Sequence, residues 1–176
     1  MDTLEAITTR RSIRRFTREP VSEVVIRTLL TAAMSGPSAA NQQPWQFVVV
    51  SDRSQLDRLA SFGPFERTLS AAPHAVAVCG DMSLAKWEAF WPIDCAVATQ
   101  NLLLAAHAHG LGAVWLGCST RAERAAVLRE VLELPEHVQP FALVPIGFAA
   151  EEIPPIERYQ ADRVHRDRWS TSGEGL

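Results

Sequence analysis

The chain has one lysine, no paired cysteine motif and no long apolar run. No stretch approaches the roughly 18 apolar residues that a membrane helix needs, so no membrane partner is expected. The opening residues MDTLEAITTRR carry no apolar segment of signal-peptide type, which predicts a cytoplasmic location. Cys79, Cys95 and Cys118 are widely spaced and odd in number, so they read as small buried side chains rather than a zinc or disulfide framework. His107 and His109 are two apart, which on a helix points them about 200° apart and denies them a shared metal. No metal is expected. The phosphate loop G-x-x-x-x-G-K-[ST], the G-x-G-x-x-G turn and the G-x-S-x-G elbow are all absent. Glu151 and Glu152 fall in a predicted loop and read as a solvated charge pair, not a glycosidase dyad.

What is present is a globular composition. Hydrophobic residues make up 47% and charged residues 21% of 176 residues. That length predicts one domain, taken as residues 1–169, with residues 170–176 as a disordered tail. The net charge of −3 gives no overall reason to bind nucleic acid. The charge is nevertheless uneven. Sixteen of the seventeen basic residues are arginine, and Arg10, Arg11, Arg14, Arg15 and Arg18 lie in the first eighteen positions. This is either a local anion site or a solvated basic face.

Apolar spacing predicts a short helix over residues 3–10 and an amphipathic helix from Ser22 towards Gly36. GPSAANQQP (36–44) is a loop by composition. WQFVVV (45–50) reads as a buried strand. Asp52 with Gln55 predicts a capped helix to about Ala60. A second short helix is expected over Phe65–Ala71, then a strand over His74–Cys79. The longest helix is expected over Asp94–His109, apolar on most sides and therefore central. A third strand is expected over Ala113–Cys118. Thr120 and Glu123 predict a capping box for a helix to about Leu134, and a fourth strand covers Phe141–Gly147. Strands without polar alternation imply layers covered on both faces, an α/β arrangement.

Three segments carry candidate chemistry. RRSIRRF (10–16) offers arginine forks and a hydroxyl that match phosphate oxygens. PSAANQQPW (37–45) offers amides and hydroxyls to a polar heterocycle. GLGAVWLG (110–117) has glycines at both ends, where something flat could approach the backbone.

In this order and spacing, these segments resemble the nitroreductase-like family of FMN-dependent oxidoreductases. DCAVATQNLLLAAHAHGLGAVWLG, FALVPIGFAAEE and RYQADRVHRDRW are similar to further landmarks of that family, and the likeness runs from about Leu4 to Trp169. The resemblance implies an α+β fold with a central mixed sheet flanked by helices. It implies an intertwined homodimer with an exchanged C-terminal arm and FMN at the subunit interface. Arg10, Arg11 and Ser12 match positions that hold the FMN phosphate and ribityl region. Arg14 matches the position at the pyrimidine edge. Pro37, Ser38, Ala39, Asn41 and Gln43 match a loop that meets the flavin from the partner subunit. Trp115, Leu116 and Gly117 match a strand end along the isoalloxazine, with the Leu116 N–H directed at N5. Arg158 matches a basic position on the phosphate, and Arg163 is a weaker candidate. No essential catalytic side chain is implied.

The implied activity is transfer of electrons from NAD(P)H, by ping-pong chemistry, to a nitroaromatic, quinone or other conjugated acceptor. The alternatives are a reductive dehalogenase or flavin-cleaving enzyme of the same fold, or a flavin-binding protein without turnover. Two departures stand out. Ala149 replaces a proline common in the family, which is expected to soften the start of the arm. The segment before the long helix is short, and its Trp87, Phe90 and Trp91 either cap the flavin or pack on that helix.

Overall fold

The computed structural model describes residues 1–61, 63 and 66–169. The expected disordered tail, 170–176, lies outside these, as does Phe65 at the start of the expected second short helix. The rest of that helix is a single 3-10 turn, Glu66–Ser70.

Among the described residues, three of five α-helices open on a side-chain cap. In α1 (Thr3–Thr9) the Asp2 carboxylate accepts the Glu5 N–H at 3.0 Å. In α2 (Glu23–Met34) Ser22 Oγ accepts the Val25 N–H. In α3 (Arg53–Ala60) Asp52 accepts the Gln55 N–H at 2.9 Å, as its sequence signature predicts. The long helix α4 (Trp91–Ala108) starts a turn earlier than expected, because Pro92 sits in its first turn, where a missing N–H costs nothing. The Thr120 capping box does not form. A turn closed by Arg121 N–H to the Cys118 carbonyl leaves Thr120 outside α5 (Ala122–Val131). Arg121 takes the cap position with no side-chain bond, and the helix ends at Val131 rather than Leu134.

The strands are β1 (Trp45–Val50), β2 (His74–Asp81), β3 (Gly112–Ala113), β4 (Leu116–Gly117) and β5 (Val138–Gly147). They form one sheet in the order β1-β2-β5-β3, with β4 also on β5. All strand pairings are antiparallel, and the sheet's parallel contact is an isolated bridge from Ser12 to Ala113. The expected third strand is thus present as two pieces. Both follow one register on β5, and continuing that register puts Val114 opposite Pro145. Proline has no N–H to donate, so the ladder lapses there.

Both faces of the sheet are covered. Along β2, Val76 and Val78 face α2 and α4, while Ala75, Ala77 and Cys79 face α3 and α5. Leu102 and Leu103 of α4 are buried against the first face. Each such leucine contributes about 1.5–3 kcal/mol by leaving water. The apolar runs therefore reported two-sided burial correctly, though they said nothing of strand direction.

Hydrogen bonds from Ser54 and from the Gln55 N–H hold the Asp52 carboxyl below the ordinary carboxylate range. Its stabilising effect is present above the unfolded-chain pKa and is lost as pH falls through the lower folded value. Asp52→Ala should lower the thermal midpoint at neutral pH, and the gap to the parent should close in acid. Thermal unfolding followed by circular dichroism from pH 7 down to pH 2 measures this.

Candidate functional site

The N-terminal arginines are placed by α1 and α4 together. Thr9 Oγ donates to the Glu5 carbonyl at 2.6 Å, so its lone pair is left to accept from His107 Nε2 at 2.8 Å. That bond ties the end of α1 to the last turns of α4. The chain then runs along β3. The Ile13 N–H donates to the Ala113 carbonyl at 3.0 Å, and the Ile13 side chain fills the space above Gly112, where a Cβ would meet it at 2.6 Å. Gly112 therefore admits the chain's own isoleucine, not a flat ligand.

Arg10 and Arg11 emerge beside the C-terminal arm. With Arg158 they line a cleft of about 310 Å³, shared with Ile7, Thr8 and Tyr159. Burial lowers the pKa of Arg10, and the charges of Arg158 and Arg11 lower it further. Glu157, also on the cleft, turns its carboxylate back onto the N–H groups of Arg158 and Tyr159. Among the described residues no carboxylate pairs with these three arginines. Like charges gathered without a counter-charge suit an anion. Arg163, on an exposed 3-10 turn, is not among the cleft residues.

Arg14 is exposed, and its guanidinium reaches the Ser12 carbonyl at 3.3 Å. Its backbone is held firmly. Glu151 Oε1 accepts the N–H of Arg14 at 2.6 Å and of Arg15 at 3.1 Å. Glu151 is therefore no solvated partner of Glu152; it anchors the arginine ribbon. The Ala150 N–H donates to the Arg15 carbonyl, the Thr17 N–H to Phe148, and Phe16 bridges Ala149. These bonds tie the start of the arm to residues 14–17 with Ala149 in place of the proline.

The 37–43 loop sits at the other end of α4. Ser38 Oγ accepts the Gln43 N–H at 3.0 Å, and Gln43 Nε2 donates to Asn41 Oδ1 at 2.7 Å. Ala40, Asn41 and Gln43 all have positive φ, at 47°, 55° and 47°. Such left-handed non-glycine residues cost about 1–3 kcal/mol each and persist only where surroundings impose them. Pro37 is exposed, and the Ala39 N–H donates to Asp94.

Trp115 packs on Phe141 with ring centroids 5.4 Å apart, while Leu116 points into the opposite core. Gly117 faces open space, and its carbonyl accepts from Arg124 at 3.0 Å. The aromatic segment divides. Trp91 stacks edge-on against Phe141 and belongs to the core, whereas Trp87 and Phe90 are exposed.

One chain thus brings Arg10, Arg11 and Arg158 together, with Ser12 and Ile13 running along β3. It does not bring the 37–43 loop to them. Asp94, which holds the loop, and His107, which holds Thr9, are thirteen residues apart on α4, about 20 Å along the axis. Sequence reasoning missed Glu151, Gln42 and the full role of Asp94. A carboxylate among Cys95, Ala98 and Thr99 on a buried helix was the available signal, since a buried carboxylate needs donors. Burial pushes the Cys79 and Cys95 thiols up to about 12, so neither serves as a nucleophile near neutrality.

A sequence model of the nitroreductase family matches residues 7–63 and 85–148. A protein of Methanothermobacter thermautotrophicus, provisionally named NADH dehydrogenase/NAD(P)H nitroreductase, is 44% identical over 96% of this chain and 88% of its own length. A solved structure from Parabacteroides distasonis under the same provisional name is 38% identical, with a TM-score of 0.90 over 95% of this chain and 98% of that one. A nitroreductase structure from Desulfovibrio desulfuricans, also provisionally named and solved in complex with FMN, is 32% identical, with a TM-score of 0.85 over 97% of this chain and 99% of that one. The chain belongs to the nitroreductase family. No described helix is long and apolar enough to cross a membrane.

Burial and then Arg10 lower the pKa of His107, against a smaller upward pull from Glu5. The unfolded chain therefore takes up the proton first, and stability falls as pH drops below the ordinary imidazole value. An anion beside Arg10 opposes that repulsion. Inorganic phosphate should raise the His107 pKa in an NMR titration, and an unmoved value would place the anion away from Arg10.

Proposed function

We propose that this chain is an FMN-dependent NAD(P)H oxidoreductase that works as a homodimer with FMN at the subunit interface. The observation that carries this reading is the cleft where Arg10, Arg11 and Arg158 converge without a carboxylate partner. A phosphate dianion is the group that such a cleft fits. The open space over Gly117, beside half-buried Trp115, fits a flat ring, because among the described residues no side chain fills it. FMN supplies the redox chemistry when bound, accepting a hydride from reduced nicotinamide and passing electrons to a nitroaromatic, quinone or other conjugated acceptor.

The protein's own residues bind and orient. Arg10, Arg11 and Arg158 hold the phosphate, and Ser12 adds a hydroxyl toward the ribityl chain. Arg14 serves the pyrimidine edge, where negative charge appears on reduction. Trp115, Leu116 and Gly117 support the ring system, with the Leu116 N–H offered to N5. Pro37, Ser38, Ala39, Asn41 and Gln43 come from the second copy. The reason is distance: the buried body of α4 separates that loop from its own chain's arginines. The exposed apolar residues Leu4, Ile7, Trp87, Phe90 and Ile93 are available to the dimer contact. The C-terminal arm beyond the Arg158 cleft, exposed over residues 160–163, is the segment that crosses to the partner.

The purified protein should be a yellow dimer with one FMN per subunit, and should oxidise NADH or NADPH when a quinone is added. Initial-rate lines across donor and acceptor concentrations should run parallel, since one flavin face serves both. A protein that takes up FMN but turns over no nicotinamide is a flavin-binding protein instead.

Arg14 and Arg158 should fail in different ways. The phosphate charge is the same in both redox states, so Arg158→Ala should weaken oxidised and reduced FMN alike. Losing a charge-assisted hydrogen bond costs about 1.5–3 kcal/mol, or about tenfold to a hundredfold in affinity. Arg14→Ala should weaken the reduced form more and lower the two-electron potential. A differential loss of about 1.4 kcal/mol corresponds to about 30 mV. Spectroelectrochemical titration of both variants separates the two roles.

A further inference from the structure

The loop assigned to the partner's flavin carries three left-handed residues and no glycine, so something must hold it in that shape. The hold comes from α4. Asp94 lies in the first turn of that helix with 2% of its surface exposed. Its Oδ1 accepts the Ala39 N–H at 2.9 Å, and its Oδ2 accepts from Gln42 Nε2 at 2.7 Å. The other end of the same amide faces Trp87: Gln42 Oε1 accepts the Trp87 N–H at 2.8 Å, with a longer contact of 3.4 Å from Nε2 to the Trp87 carbonyl. No other side chain bridges the loop, α4 and the segment before it in this way among the described residues.

We propose that Gln42 and Asp94 form a polar relay that positions the 37–43 loop for FMN and fixes Trp87 beside it. The proposal rests on the FMN reading above. Both are positioning residues, since their polar atoms are used on the protein itself. The relay has a direction. Asp94 can only accept, so the Gln42 NH2 must face it; the Gln42 carbonyl must then face the Trp87 N–H. Reversing either group alone sets like against like. Reversing both restores every short bond at the same net charge.

That direction makes a swap experiment possible. Gln42→Glu sets a carboxylate against Asp94. Asp94→Asn sets one amide NH2 against another unless Gln42 turns and abandons Trp87. The double variant lets the introduced amide donate to the introduced carboxylate, whose second oxygen still accepts from Trp87; only the long contact to the Trp87 carbonyl is spoiled. Gln42→Ala removes the bridge without burying a charge, which guards against a single variant that does not fold. Three quantities are read: FMN affinity of the apo-protein by fluorescence titration, hydrogen exchange of the Trp87 and Ala39 amides without FMN, and the urea unfolding midpoint.

Gln42→Glu, Asp94→Asn and Gln42→Ala should each weaken FMN binding by about tenfold and speed exchange at Trp87. The double variant should return to within about threefold of the parent in both. Single variants that lose urea resistance yet bind FMN as the parent does would make the relay a structural brace and overturn the proposal. So would a double variant as weak as the singles. A parent that takes up no FMN overturns the flavin reading and this proposal with it, whereas a parent that binds beside variants that bind equally well overturns this proposal alone.

Discussion

The rigid length of α4 is the constraint on which the site depends. This 18-residue helix is fixed in the core by Cys95, Ala98, Thr99, Leu102 and Ala106, all fully buried. Its last turns hold Thr9 through His107 and so place the arginines. Its first turn holds the 37–43 loop through Asp94. The two halves of the candidate site are thereby kept about 20 Å apart along the helix. A single ligand meets both halves only where a second copy offers its loop. That distance is the reason the proposed function includes a homodimer.

The same frame deals with electrostatic cost. Holding Arg10 beside Arg11 and Arg158 has an electrostatic cost: burial first, and then the charges of Arg158 and Arg11, lower the Arg10 pKa. Backbone bonds offset it. Glu151 takes the N–H groups of Arg14 and Arg15, and residues 148–150 pair with residues 15–17. The ribbon is thus set by main-chain contacts, and among the described residues no carboxylate pairs with the Arg10 and Arg11 guanidinium groups. At the other end, Asp94 holds a loop in which Ala40 and Gln43 take a left-handed geometry that such residues rarely adopt.

Much of the fold was legible. WQFVVV became β1 with the expected ends, and Asp52 capped α3 through Gln55. The cysteines are buried, as their spacing suggested. The misreadings have local causes. The long helix was expected from Asp94, but it starts at Trp91, since its first turn accepts Pro92. Thr120 and Glu123 fitted a capping pattern, but the Cys118–Arg121 turn claimed that backbone first. The strand over 113–118 lost its middle to Pro145, thirty residues away in the chain. Glu151 looked like a surface charge because its partners are main-chain N–H groups, which a sequence does not distinguish from any others.

By itself the sequence determined the order of elements, the two-sided burial of the sheet, the basic entrance and the family resemblance. These depend on local spacing and residue type, which the chain carries everywhere along its length. The tertiary structure alone decided which groups meet. It brought Arg158 to Arg10 across almost 150 residues, spent Glu151 on a backbone, filled Gly112 with Ile13 and left Gly117 open. It also set the loop and the arginines at opposite ends of one helix. Those outcomes depend on distances between residues remote in the chain, and distance of that kind exists only once the core has closed.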